Sequence, residues 1–260
     1  MPSWVWVKWA KAMTAHMLPE GLPAARGLYD PRNEHDACGI GLLANINNLR
    51  SHRIISDGLS ILKNLEHRGA VGADPKAGDG AGIMIQIPHG FFVGEAKRLG
   101  FELPAPQHYG VAFLFMPREP VYRQDIERIW WETAREEGLK VLGWRDVPVD
   151  STVLGTSVKP TEPVHRQVFI GKGPTIRDET HFERKLFVCR KVVSNRVLEV
   201  LGNKGRAYYP VSVSTRTIVY KGLVLGKNLG GYYLDLADPR FESAFALVHQ
   251  RFSTNTFPSW

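Results

Sequence analysis

The junction Ala37-Cys38-Gly39 constrains this chain more than any other stretch. Ahead of it runs a polar, turn-prone segment from Tyr29 to Asp36, of the kind proteases reach. Behind it, from Cys38 to Ile46, apolar and small residues alternate as in a buried strand. Cleavage between Ala37 and Cys38 would leave a thiol and a free α-amine on one α-carbon. A thiol of ordinary pKa ~8.5 beside an amine of ~7.7–8.0 is a nucleophile with its own base. Residues 1–37 therefore read as a leader that is removed, and residues 38–260 as the folded domain. Trp6, Trp9, Met13 and Met17 fall near one helical face, but Lys8 and Lys11 deny that segment the apolar core of a secretory signal.

Downstream, periodicity supplies most of the elements. The chain turns at Asn45 to Asn48, and Ile54, Ile55, Leu59, Leu62 and Leu65 then mark a helix ending near Glu66. Ile83, Ile85 and Ile87 alternate as a strand, Val111 to Met116 is a continuous apolar strand, and Val121 to Glu137 reads as a helix. Gly78 to Gly82 reads as a tight turn between strands, where glycine supplies positive φ. Residues 143–175 yield only short extended pieces. Phe182, Leu186, Cys189, Val193, Val197 and Val200 hold the helical period for five turns, which places Cys189 in the core. Strands follow at Val211 to Ser214, Thr217 to Tyr220 and Ala244 to His249.

Composition narrows the function classes. The chain has 260 residues, 43% of them hydrophobic and 23% charged, the balance of a soluble globular protein. No apolar run reaches the ~18–20 residues that span a bilayer. The net charge of +7 comes from scattered basic residues, so neither a nucleic acid nor a membrane is an expected partner. Cys38 and Cys189 form no metal-binding spacing, no metal site is expected, and two free thiols suit the cytoplasm.

Five segments remain: Cys38 to Gly41, His67 to Ala70, Gly78 to Gly82, Tyr220 to Gly222, and His249 to Pro258. Together, in this order, they resemble the N-terminal glutaminase domain of glutamate synthase large subunits, a class II glutamine amidotransferase. The resemblance runs from about Tyr29 to Trp260. It implies an α+β, N-terminal-nucleophile hydrolase fold: a four-layer αββα sandwich of two antiparallel sheets with helices on both outer faces. The elements read from periodicity are compatible with that fold and do not by themselves specify it.

The resemblance also implies a chemistry. Cys38 attacks the side-chain amide of L-glutamine, its own α-amine carries the proton, ammonia leaves, and water resolves a glutamyl thioester. Ammonia then reaches 2-oxoglutarate, and the imino acid is reduced at FMN fed through an iron–sulfur cluster. Both cofactors are expected outside this segment, in the rest of the large subunit, with a small electron-donating subunit or ferredoxin as partner. Arg251, with Thr254, matches the position that holds the glutamine α-carboxylate, which a guanidinium grips through two parallel hydrogen bonds. Asn255 belongs to the same substrate-binding run. Arg68 matches the arginine beside the nucleophile, where a fixed positive charge favours thiolate. Read without the family, Arg251 is a strand-end surface residue and Arg68 a cation at a helix C-terminus.

The family's His-Asn-Gly oxyanion segment and its aspartate for the glutamine α-amine do not occur before Trp260. The expectation is therefore a fragment with the nucleophile and half of the glutaminase site, inactive by itself. Two alternatives stay open: another class II amidotransferase, such as the purine or hexosamine enzymes, and a non-catalytic module in which Cys38 is only a strand residue. These residues do not choose between a nicotinamide and ferredoxin as electron donor.

Overall fold

The computed structural model describes residues 26–27, 30, 39–69, 74–250 and 259–260. The leader expected at residues 1–37 lies almost wholly outside them.

Eight strands form two antiparallel four-stranded sheets. The first has the order β1 (Gly39–Ala44), β8 (Phe245–Gln250), β2 (Ala81–Gln86), β7 (Thr217–Gly222). The second has the order β4 (Lys140–Asp146), β5 (Val164–Gly171), β3 (Tyr109–Met116), β6 (Tyr209–Ser214). The two-residue turn between β6 and β7 carries the chain from one sheet to the other. Glu183 holds that turn, accepting hydrogen bonds from Ser214 Oγ and from the backbone N–H of Thr215.

Two apolar clusters explain the layering. Val111, Phe113, Phe115 and Phe169 of the second sheet pack with Ile83, Ile85, Ile218 and Tyr220 of the first. Helix α1 (His52–Asn64) adds Ile55 and Leu62 to that cluster, and α2 (His89–Arg98) adds Phe91 and Phe92. The opposite face of the second sheet, with Ala112, Leu114, Val168 and Ile170, is covered by α3 (Pro120–Glu136) and α4 (Glu179–Leu201). All eight residues of β3 are buried because it has a packed layer on each side. A continuous apolar run is the sequence form of such a strand.

Local chemistry sets the element ends. Pro120 occupies the first turn of α3, where its missing N–H costs nothing. Asp178 caps α4 by accepting from the His181 N–H at 2.7 Å. Asn45 Oδ1 accepts from the N–H of Asn47 and Leu49, which turns the chain after β1 as the sequence predicts.

Four readings need correction. The strand after Cys38 is not buried: β1 lies at the edge of its sheet, with Ile40 and Leu42 exposed. The segment 143–175 is not featureless: it holds the end of β4 and all of β5, an interior strand of the second sheet. Helix α2 has no counterpart in the periodicity reading. Gly78 to Gly82 leads from a loop into β2 and does not join two strands. Its expected positive φ is present at Gly80, at 96°.

Candidate functional site

The described residues of the five segments singled out in the sequence meet at one end of the first sheet. β1 begins there at Gly39, β8 ends there at Gln250, β2 begins at Ala81 and β7 ends at Gly222. Strand register sets these four residues in one row: Gly39 opposite Gln250, Gln250 opposite Ala81, Ala81 opposite Gly222. Antiparallel pairing brings positions 39, 81, 222 and 250 together although the chain between them is long. The fifth segment joins the row from above. After α1, the chain makes a 3₁₀ turn at Glu66–Arg68, and Gly69 lies directly against the Gln250 side chain.

Small residues make this convergence possible. A Cβ at Gly41 would come within 2.5 Å of Ile61 Cγ2, and one at Gly39 within 3.3 Å of Leu65, so glycines in β1 let α1 lie close to the strand. At the other end of the row a Cβ at Gly222 would lie 2.8 Å from the Trp260 ring. Tyr233 fixes the end of β7 by donating to the Lys221 carbonyl at 2.6 Å. The loop that enters β2 is pinned at Asp74, whose carboxylate accepts from the N–H and Oγ of Ser157 at 2.9 and 2.8 Å. Those hydrogen bonds lower its pKa to about 2.

Of the predicted site residues, the structure places Arg68. It is exposed in the 3₁₀ turn that follows α1; its backbone N–H donates to the Leu65 carbonyl at 2.8 Å, and no side-chain hydrogen bond or ion pair engages it among the described residues. A guanidinium so placed is available to an anionic ligand. Its neighbour His67 is tied to the Asn64 carbonyl at 3.0 Å. Cys38, Arg251, Thr254 and Asn255 lie outside the described residues. Two of their chain neighbours are described: Gly39 follows Cys38 and Gln250 precedes Arg251, and these two are register partners. Gln250 itself went unmarked in the sequence, where its signal is only its place inside the last of the five segments.

The model of the class-II glutamine amidotransferases matches residues 38–260, beginning at Cys38, the residue before Gly39 in the sequence. The chain belongs to that family. Its two antiparallel four-stranded sheets and their helices are accordingly the N-terminal-nucleophile hydrolase sandwich. The large chain of the NADPH glutamate synthase of Bacillus subtilis is 46% identical over 239 residues, covering 92% of this chain and 15% of that protein. The NADH glutamate synthase of Saccharomyces cerevisiae is 42% identical over 250 residues, covering 92% and 11%. Ferredoxin-dependent glutamate synthase 1 of Arabidopsis thaliana is 40% identical over 240 residues, covering 92% and 14%. The chain thus spans about 15% or less of the length of these relatives.

Proposed function

We propose that, within a longer glutamate synthase, this chain supplies Cys38 as the nucleophile that hydrolyses the side-chain amide of L-glutamine, and that the ammonia serves glutamate synthesis from 2-oxoglutarate there. The observation that carries the reading is the convergence of the five segments on the sheet end where the family match begins. In this reading residues 1–37 are removed and the freed α-amine of Cys38 takes the thiol proton. The sulfur bonds to the amide carbon, and the C–N bond breaks with the proton delivered to the departing ammonia. Water then cleaves the γ-glutamyl thioester, restoring the thiol and releasing glutamate. Arg251, with Thr254 and Asn255, holds the substrate α-carboxylate, and Arg68 supplies positive charge beside the nucleophile.

The redox half belongs elsewhere in this reading. Two cysteines are too few for a cluster held by four thiolates, and Cys189 is buried in the core. FMN and the cluster are assigned to other parts of the longer protein. Relatives whose names give NADPH, NADH and ferredoxin match at 46, 42 and 40% identity, so these residues do not select the donor. No helix among the described residues is long and apolar enough to cross a membrane, which fits action in the cytoplasm.

Intact-mass measurement and labelling test the proposal together. The expected mass begins at Cys38, and a glutamine-analogue diazoketone labels Cys38 alone. In the longer protein, Cys38→Ser is expected to abolish glutamine-dependent glutamate formation and to spare the ammonia-dependent reaction. A mass that begins at Met1, with Cys38 unlabelled, favours the non-catalytic module.

A further inference from the structure

The end of the first sheet away from Gly39 and Gln250 holds a cavity that the glutamine chemistry leaves unused. β2 ends there at Gln86, β7 begins there at Thr217, and β8 begins there at Phe245. A rise of ~3.4 Å per residue along β2 puts this end about 17 Å from the row of Gly39, Gln250, Ala81 and Gly222. The cavity has a volume of about 330 Å³, which is within the range of small-molecule sites. Three of its lining side chains can carry positive charge: Arg50, His89 and Arg216. No carboxylate is among its described lining residues.

Ile87 is bonded to both arginines. Its N–H donates to the Arg216 carbonyl at 3.0 Å, and its own carbonyl accepts from Arg50 Nη1 at 3.1 Å. Glu179 accepts from Arg216 Nε, and Glu183 accepts from the Thr215 N–H, so both α4 acids that reach this turn are engaged. The rest of the wall is also held. Gln86 donates through Nε2 to Asn48 Oδ1 at 3.0 Å and accepts at Oε1 from the Ala244 N–H at 2.9 Å. His89 Nδ1 lies 3.0 Å from the Tyr109 hydroxyl. Among the described residues, the two non-glycines with a left-handed backbone are Asn48 and Gln107, at φ 56° and 68°, and both line this cavity. Such conformations persist where the surroundings hold a site in shape. Burial and then the Arg50 charge lower the His89 pKa, so Arg50 stands close enough to oppose a second positive charge. A cleft lined by one sign of charge concentrates ions of the other sign.

We propose that this cavity binds a small dicarboxylate, with one carboxylate at Arg50 and the other at Arg216. A guanidinium grips a carboxylate through two parallel N–H donors. Among the described residues, the protein engages a single side-chain nitrogen of each arginine. Two cations brought in from separate turns suit a ligand with two charged ends, and Ile87, Pro106 and Phe245 offer apolar contact to the methylenes between them. 2-Oxoglutarate, the ammonia acceptor in the reaction proposed above, belongs to this class. The site itself does not rest on that reading, since it uses none of the residues assigned to glutamine.

Calorimetry and NMR on the full chain test the assignment, with glutarate and 2-oxoglutarate as probes. Saturable binding with a Kd below about 1 mM is expected. It is expected to shift the His89 ring protons, which are identified by their loss in His89→Gln. Arg50→Gln and Arg216→Gln are each expected to weaken binding about tenfold or more, the usual loss with a hydrogen bond to a charged group. Acetate, with one charge, is expected to bind more weakly by a similar factor. Both arginines are exposed, and urea midpoints check that each variant folds. Thr217→Glu, which sets a negative charge in the cavity wall, replaces a variant that does not fold and carries the same expected loss. Absence of saturable binding, saturation that leaves the His89 signals unmoved, or unchanged affinity in either arginine variant overturns the proposal. Inorganic phosphate that binds as tightly as glutarate, and is lost in the same variants, overturns the dicarboxylate class in favour of a compact dianion.

Discussion

Cys189 and His165 show how far burial alone determines the chemistry of a side chain here. Cys189 is fully buried in the stripe of α4, and desolvation pushes its thiol up to about 12. That leaves it protonated and inert at neutral pH, so the five-turn apolar pattern assigned it correctly. His165 is 3% exposed on β5, among Phe113, Phe115, Tyr232, Tyr233 and Trp260. The Tyr232 hydroxyl donates to Glu162, so its oxygen accepts from His165 Nε2–H and leaves Nδ1 bare, with no partner among the described residues. Desolvation lowers the His165 pKa to about 3. The unfolded chain binds this proton below pH ~6.5 and the folded chain does not. Stability is therefore complete above that pH and is lost as pH falls toward 3. Urea midpoints measured across this window are expected to fall less steeply in His165→Phe than in the unsubstituted chain. The difference in slope approaches ~1.4 kcal/mol per pH unit.

At the scale of elements, legibility followed the simplicity of the packing. α4 and β3 announce themselves because one has a single buried stripe and the other is buried on both faces. β5 does not, because His165 and Gln167 interrupt its apolar positions and are themselves buried. Period-two alternation signals a strand only when buried positions are apolar, and here the buried face is partly polar. α2 is only ten residues long, and its buried residues Phe91, Phe92 and Ala96 make a weak stripe. The seating of α1 depends on a feature that periodicity does not register. Gly58 is buried mid-helix, and a Cβ there would lie 2.9 Å from the Cβ of Ala246 on β8. Alanine at this position gains ~0.8–1.0 kcal/mol of helix propensity but overpacks a strand that cannot retreat, at ~1–3 kcal/mol. Gly58→Ala is expected to lower unfolding free energy by about 1 kcal/mol in urea titrations. In an Ala246→Gly background the same substitution is expected to be neutral or stabilising, because the opposing methyl is gone.

For the whole molecule, the sequence showed which segments matter but not why they meet, because convergence comes from strand order. No spacing rule places position 39 beside 250, or 81 beside 222; the order β1-β8-β2-β7 does. The tie between the two sheets was equally illegible, since it is assembled from five separate segments. Arg145 on β4 makes a two-pronged pair with Asp235 at 2.7 and 2.8 Å, and its Nε donates to Glu95 at 3.0 Å. Tyr220 on β7 donates to Asp235 at 2.7 Å and accepts from Gln167 Nε2 at 2.8 Å. Burial, then the Asp235 charge, holds the Tyr220 hydroxyl protonated well above its ordinary range. Arg145 and Asp235 are each 3% exposed, so neither charge has recourse to water. Breaking such a pair from one side strands its partner, at ~3–5 kcal/mol, whereas replacing both by apolar residues of similar volume is often close to neutral. Asp235→Ala is expected to lose stability in that upper range, with Tyr220 also deprived of its acceptor. Arg145→Met combined with Asp235→Leu is expected to recover part of the loss, the remainder reflecting the orphaned Tyr220, Gln167 and Glu95. Equilibrium unfolding in urea measures both. If the double variant is no more stable than Asp235→Ala, the cost comes from lost shape at the sheet junction and not from a stranded charge.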